Sequence, residues 1–335
     1  MTTITLPQLS RRFEAASEQT ILDAAFAAGI AYPHGCLSGR CGACKSRLLE
    51  GEVVMAKHSP FALTAEEAAE GQILACVATP VTPVSIEWLD TDYVPREAAK
   101  ISARVLSTTK ATHDVVILRL RPSEPMAFAA GQYLSLKIEG TLARHYSMAN
   151  TPGAGLIELH VRIVPGGRTS GLVSRLVVGD VVRLTGPMGS SYFRETHTGP
   201  ILAVAGGTGL APVKSIIEAA LALDPDRHVL LYFGVRTQRD LYYVAHFRAL
   251  EARHAGFTFI PVVAVTDNPA HRSGMVTDAI AEDIRDLSGF SIYMAGPPPM
   301  VEAMQALASQ RGAQANRVYA DVFFTPEAAK QEELL

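Results

Sequence analysis

At about 150 residues per domain, a chain of 335 residues has room for two or three domains. Apolar residues make up 48% and charged ones 19%, which supports sizeable buried cores and is the reverse of a disordered chain. With 30 basic and 33 acidic side chains the net charge is −3, which gives no electrostatic case for a nucleic-acid surface. No uncharged apolar run approaches the ~20 residues of a bilayer span, and the polar opening MTTITLPQLSRRFEAASEQT has no secretory apolar core. A cytoplasmic, multidomain protein is expected.

Residues 1–92 read as an α+β unit. Thr20 with Asp23 starts a helix over Ile21–Ala28 that stops at Gly29, and Thr64 with Glu67 forms a second capping box opening a short helix. Val53–Met55 and Val84–Trp88 look like strands. The polar stretch LDTDYVPREAAK, carrying Pro95, is the expected linker. Over 100–197 come DVVILRLR, QYLSLKI, LIELHVRIV and DVVRLTGP, short strands separated by turns, which predict an antiparallel barrel or sandwich. From 198 to 335 buried strands such as ILAVA and HVLLYFGV alternate with helical stretches, which predicts a parallel α/β domain. Three modules fit the length better than two.

The chain has four cysteines, Cys36, Cys41, Cys44 and Cys76, three of them within nine residues. That is too few for a disulfide scaffold. Four soft thiolates suit zinc or an iron–sulfur cluster. Zinc sites usually pair two C-x2-C knuckles, whereas C-x4-C-x2-C followed by a distant cysteine is the plant-type [2Fe–2S] spacing. The interleaved Gly35, Gly39 and Gly42 let a loop turn its N–H groups toward sulfur. The segment PHGCLSGRCGACKSRLLEGEV resembles the ferredoxin domain of bacterial oxygenase reductases.

In the middle module RHYSMAN, residues 144–150, closes a strand. Taken alone it is a polar strand end, but it resembles the R-x-Y-S-x-x-N signature of the ferredoxin–NAD(P)H reductase superfamily. That resemblance implies a flavin held by Arg144, Tyr146, Ser147 and Asn150. Arg144 would bind phosphate, Tyr146 would lie on the isoalloxazine, and Ser147 would reach N5, where hydride arrives. HVRIVPGGRTSGLVSRL resembles the pyrophosphate segment of the same family, which implies contacts from His160, Val161, Arg162, Gly167, Arg168, Thr169 and Ser170. FAD is preferred over FMN because the family with a leading cluster domain usually carries FAD.

AVAGGTGLAPVKSII sets Gly207, Thr208 and Gly209 between a strand and a helix, the geometry that aims helix N–H groups at a pyrophosphate. Pro212 stands where a third glycine would complete G-x-G-x-x-G, and FGVR rather than an acidic residue ends the second strand. The turn resembles the family's GGTGxAP segment. MAGPPPMVEAM resembles its C-G-P-P-x-M loop, which implies nicotinamide contacts from Gly296, Pro297 and Met300, with Ala295 replacing the usual cysteine. In YADVFF the resemblance implies that Phe323, or alternatively Phe324, covers the flavin face; both could simply be core. Arg236 and Arg239 could accept a 2′-phosphate, and Asp240 would disfavour one, so NADH is expected with NADPH left open.

The whole chain is similar to the reductase components of bacterial aromatic-ring-hydroxylating oxygenases, such as naphthalene or carbazole dioxygenase reductases. The resemblance implies electron flow from NADH through FAD, with Tyr146, Ser147 and Phe323 at the hydride-transfer site, to a [2Fe–2S] cluster on Cys36, Cys41, Cys44 and Cys76. Plant-type clusters lie near about −400 mV, so delivery to a Rieske centre at roughly −150 mV or above is downhill. The expected acceptor is a Rieske-type oxygenase or a small ferredoxin, met by a monomeric reductase. A diiron monooxygenase or cytochrome P450 as acceptor, and a non-enzymatic ferredoxin-type carrier, are the alternatives.

Overall fold

The computed structural model describes residues 1–266, 268–269 and 271–323. Phe324 lies outside the described residues. The chain divides into two compact units, Met1–Arg96 together with Gly189–Ser191 and Ala320–Val322, and the rest.

The first unit carries strands β1 (Thr2–Leu6), β2 (Arg11–Ala15), β3 (Lys45–Glu50), β4 (Val53–Met55), β5 (Gln72–Leu74), β6 (Ala78–Pro80) and β7 (Val84–Trp88). Five pair in the order β2-β1-β7-β3-β5, with β1 and β7 parallel, and β4 pairs with β6. Helix α1 (Ile21–Ala27) starts where Thr20 accepts the Asp23 N–H at 3.1 Å. Helix α2 (Ala65–Ala69) opens on the reciprocal Thr64–Glu67 capping box. Ile21, Leu22, Ala24 and Ala25 of α1 pack with Leu6, Tyr32, Leu74 and Ile86 into one core.

The second unit begins with six strands: β8 (Ala99–Lys110), β9 (Val115–Pro122), β10 (Tyr133–Lys137), β11 (Arg144–Ser147), β12 (Ile157–Arg162) and β13 (Val181–Met188). The last two residues of the expected linker, Ala99 and Lys100, therefore already lie in a strand. The order is β11-β10-β13-β8-β9-β12, antiparallel throughout. The expected barrel is a near-barrel, its edge strands β11 and β12 meeting at the Met148–Leu159 bridge rather than along a full ladder. Helix α3 (Arg168–Val173) follows β12.

Strand β9 explains why this sheet and the next form one unit. Val116, Leu118 and Leu120 point into the near-barrel with Leu134, Leu159 and Val161. Val115 and Ile117 point the other way, into a core shared with Ile201, Ala203, Leu231 and Phe233. A strand buried on both faces reads as a continuous apolar run, as DVVILRLR does.

The third sheet comprises β14 (Ile201–Gly206), β15 (Val229–Val235), β16 (Phe257–Val263), β17 (Arg272–Ser273), β18 (Ser291–Gly296) and β19 (Val318–Val322). Its order is β17-β16-β15-β14-β18-β19, with β14 to β18 parallel as expected. The connecting helices are α4 (Leu210–Leu223), α5 (Val244–Arg253), α6 (Val276–Asp283) and α7 (Pro298–Gln310). Helix α5 starts only at Val244 because Tyr243 takes a left-handed backbone, φ 58°.

Candidate functional site

The four cysteines come together in the first unit, with Cys41, Cys44 and Cys76 buried and Cys36 half-buried. Sγ of Cys44 lies 3.1 Å from that of Cys76. The Cys36 N–H donates to Cys41 Sγ and the Arg40 N–H to Cys36 Sγ, each at 3.3 Å. The loop admits this only with glycine at 39, where φ is +70° and a Cβ would stand 2.9 Å from His58 Cβ. Hydrogen bonds with Cys41, then Ser38 and the Arg40 N–H, hold the Cys36 thiol down to about 5, against burial. Hydrogen bonding to Cys36 and burial push Cys41 up, and Cys76 and burial do the same to Cys44. Crowded thiols with backbone N–H groups aimed at sulfur fit an iron–sulfur centre, whose thiolates a cationic core stabilises.

In the second unit, β11 carries Arg144 exposed, Tyr146 half-buried and Ser147 buried. Burial pushes the Tyr146 hydroxyl up to about 12. Arg144, aromatic Tyr146 and the Gly166–Gly167 turn fit a flavin nucleotide in residue type. Of the other expected contact residues, three have side chains that bond nearby backbone and one lies in the core. Asn150 donates to the Thr151 and Leu156 carbonyls at 2.9 and 2.8 Å and accepts the Glu158 N–H at 2.8 Å, so its side chain staples its own hairpin. Thr169 donates to the Leu142 carbonyl and Ser170 accepts the Val164 N–H, both at 3.2 Å. Val161 is a fully buried core residue. Gly167 needs its hydrogen, since a Cβ there would reach within 2.6 Å of Ser170 Oγ, and Arg168 is exposed.

His160 is turned away from the near-barrel interior, beside Glu158 on the opposite face of β12 from Leu159 and Val161. Its Nδ1 lies 3.0 Å from the Tyr242 hydroxyl and its Nε2 3.4 Å from Glu158 Oε1. Glu158 also accepts from Arg119 Nε and the Tyr243 hydroxyl, each at 2.8 Å. Burial would raise the Glu158 carboxyl, but His160, Lys214 and Tyr243 outweigh it and hold it far below the usual range. Burial lowers the His160 imidazole despite Glu158.

Both folded values thus lie below the unfolded ones, about 6.5 for His and 4.3 for Glu. Such groups stabilise fully above the unfolded value and lose that contribution as pH falls toward the folded one. Acidification should first cost stability below about pH 6.5, through His160, and only below about pH 4.3 through Glu158. Tm against pH checks this: His160→Gln should fall less steeply than the wild type just below pH 6.5, about the unfolded His value. Parallel curves would refute the assignment.

At the nucleotide turn, β14 ends at Gly206, Gly207–Gly209 form a short 3-10 turn, and α4 follows. A Cβ on Gly206 would lie 2.7 Å from Met300 Sδ and 2.9 Å from Pro297 Cδ, and one on Gly209 would overlap the Ala295 carbonyl oxygen. The structure therefore packs the two ends of the turn, Gly206 and Gly209, directly against Ala295, Gly296, Pro297 and Met300. Phe323 joins them, its N–H donating to the Gly296 carbonyl at 2.8 Å and its ring half-buried on the nucleotide core. Gly209→Ala forces backbone against backbone and should cost roughly 3 kcal/mol or more. A lowered Tm with easier proteolysis within 198–323 is expected, and an unchanged Tm would show that the turn relaxes.

Arg162 pairs with Asp114 at 2.9 Å. Its guanidinium lies 3.8 Å from where a Gly207 Cβ would stand. A cleft of about 440 Å³ joins Arg162, Arg236 and Asp240 with His113, Asp114, Thr237 and Arg239. The Asp240 carboxylate is tied to the Thr237 N–H and hydroxyl at 2.8 and 2.7 Å and lies 3.4 Å from His113 Nδ1. His113, Asp114, Glu158 and Lys214 belong to none of the motifs expected from the sequence. The legible signal was a charge inside an apolar run, LIELHVRIV for Glu158 and APVKSII for Lys214.

The family of 2Fe-2S iron-sulfur cluster binding domains matches residues 4–81, that of oxidoreductase FAD-binding domains residues 102–193, and that of oxidoreductase NAD-binding domains residues 203–306. The chain is 40% identical to the ferredoxin–NAD(P)(+) reductase component of a naphthalene 1,2-dioxygenase system from Pseudomonas putida, over 88% of this chain and 90% of that one. It is also 40% identical to the reductase subunit of an aromatic O-demethylase from Amycolatopsis, over 93% and 96%. The crystal structure of an Amycolatopsis cytochrome P450 reductase superposes with a TM-score of 0.76 at 38% identity, over 96% of this chain and 99% of that one. Three domain families thus follow one another along a chain whose relatives match it over nearly their whole length, and the chain belongs to the family of oxygenase-system reductases that join a [2Fe-2S] ferredoxin domain to FAD-binding and NAD-binding domains.

Proposed function

We propose that this chain draws electrons from NADH and delivers them singly to an oxygenase component or its ferredoxin in an aromatic-compound hydroxylating system. Bound FAD accepts a hydride and the [2Fe-2S] cluster passes on one electron at a time, which is the chemistry the cofactors supply. The observation that carries the reading is the direct bonding of α4, which begins at the glycine turn, to the Ala149 and Asn150 carbonyls at the end of the flavin strand. Nicotinamide and flavin motifs thereby occupy one packed unit.

The residue roles follow. Cys36, Cys41, Cys44 and Cys76 hold the cluster, Arg144 a flavin phosphate, and Tyr146 and Ser147 the flavin ring. Gly207–Gly209 and Gly296–Met300 face the nicotinamide nucleotide, with Phe323 beside them. The domains run 1–92, 100–197 and 198–335. Arg236 and Arg239 could accept a 2′-phosphate in the cleft and Asp240 would disfavour one, and NADH is favoured over NADPH. Among the described residues no helix is long and apolar enough to cross a membrane, and a cytoplasmic monomer fits the reading.

Anaerobic titration with NADH and with NADPH, followed by visible absorbance, tests route and nucleotide together. NADH should bleach flavin and cluster at the lower concentration, and no bleaching by either would overturn the reading. The acceptor is read as an aromatic-ring dioxygenase component. A cytochrome P450 is the second reading, favoured by the superposition on a P450 reductase. Reconstituted turnover with each separates them. Arg144→Ala should weaken FAD retention, because a charge-assisted phosphate contact is worth about 1.5–3 kcal/mol. Stoichiometric FAD with unchanged affinity in that variant would show that Arg144 holds no phosphate.

A further inference from the structure

Just beyond its first turn, α4 presents two buried polar side chains to the end of the flavin strand. Lys214 Nζ donates to the Ala149 carbonyl at 3.0 Å, and the Ser215 hydroxyl donates to the Asn150 carbonyl at 2.7 Å. Both residues are buried, Ser215 completely. Lys214 also meets Glu218 at 3.1 Å and Glu158 at 3.5 Å. Its ammonium sits 5.4 Å from the centre of the Tyr243 ring.

A buried ammonium is costly unless paired, and a methionine would fill this place in an apolar helix without that cost. What the cation grips offsets the cost. It spans the gap between the glycine turn, which leads straight into α4, and Ala149, two residues beyond the Ser147 end of the flavin strand.

Given the electron route proposed above, we propose that Lys214 and Ser215 are positioning residues that set the distance between nicotinamide and flavin. They act on the step in which NADH gives its C4 hydride, with both electrons, to flavin N5 and becomes NAD+. They do not act on the binding of either cofactor. A misplacement of about 1 Å at such a step can cost about 10²-fold in rate.

The test uses the full-length holoprotein and Lys214→Met, which keeps the stem and leaves Glu158 its bonds to Arg119 and Tyr243. FAD content, Tm and NAD+ affinity are measured first, then anaerobic stopped-flow reduction by NADH and by 4-deuterated NADH. The limiting rate of flavin reduction should fall about tenfold or more, with a changed deuterium isotope effect. FAD content should hold, NAD+ affinity should stay within about twofold, Tm should fall because Glu158 and Glu218 lose their ammonium partner, and Lys214→Arg should recover part of the rate. An unchanged rate and isotope effect overturn the proposal. So does a rate loss matched by loss of FAD, because that is a structural role. If Lys214→Met does not fold, Ser215→Ala, which removes a single hydrogen bond, carries the same readouts. Wild-type protein that NADH fails to reduce would instead sink the electron route itself, before any variant is made.

Discussion

Cys41→Ser should strip the protein of iron and acid-labile sulfide while NADH-driven reduction of ferricyanide persists. The buried Cys41 sulfur receives the Cys36 N–H and lies in the loop that also holds Cys44. A hydroxyl there is a hard, shorter ligand that does not deprotonate readily, so one of four soft positions is lost. The remaining thiols are crowded, with Cys44 and Cys76 sulfurs 3.1 Å apart, and lose the cationic core that stabilises their charged forms. Ferricyanide takes electrons from reduced flavin and needs no cluster, so that activity isolates the two modules. Reduction of a protein acceptor should fall to background. Iron and sulfide analysis decides the matter: a full [2Fe-2S] complement in the variant would remove Cys41 from the ligand set.

Legibility in the sequence tracked how local each determinant is. The cysteine spacing, the Thr20 and Thr64 caps and the glycine turn are short-range patterns, and the structure forms each of them. Departures from the expected fingerprint also have local reasons. Pro212 lies in the first turn of α4, where its missing N–H would have had no intrahelical partner. What sequence could not supply was direction. Alternation along β12 sends Leu159 and Val161 into the near-barrel and Glu158 and His160 outward, so contiguous residues in HVR serve different surroundings. Polar residues such as Asn150, Thr169 and Ser170 match a cofactor motif in type, yet their side chains bond nearby backbone, which only the folded hairpin and turn reveal. Leu37 and Tyr243 take left-handed backbone without being glycine, which no local pattern announces.

Residues 97–335 expressed alone should fold, retain FAD and reduce ferricyanide with NADH, yet fail to reduce a protein acceptor or cytochrome c. The cut falls between the two compact units, in a polar segment carrying Pro95, and β8 begins only at Ala99, so the flavin sheet keeps every strand. The core that joins Val115 and Ile117 to the nucleotide sheet also stays whole. Gly189–Ser191 and Ala320–Val322 group with the first unit and lose those neighbours, so a modest fall in Tm is expected. On the proposed route electrons would still enter at the nucleotide turn and reach the flavin, but the one-electron exit proposed for the four cysteines is missing from the fragment. Absorbance at full FAD occupancy, ferricyanide turnover near that of the intact chain and no cytochrome c reduction together make the expected pattern. A fragment that reduced the protein acceptor as fast as the intact chain would show electrons leaving directly from flavin, and the route through the cluster would fall.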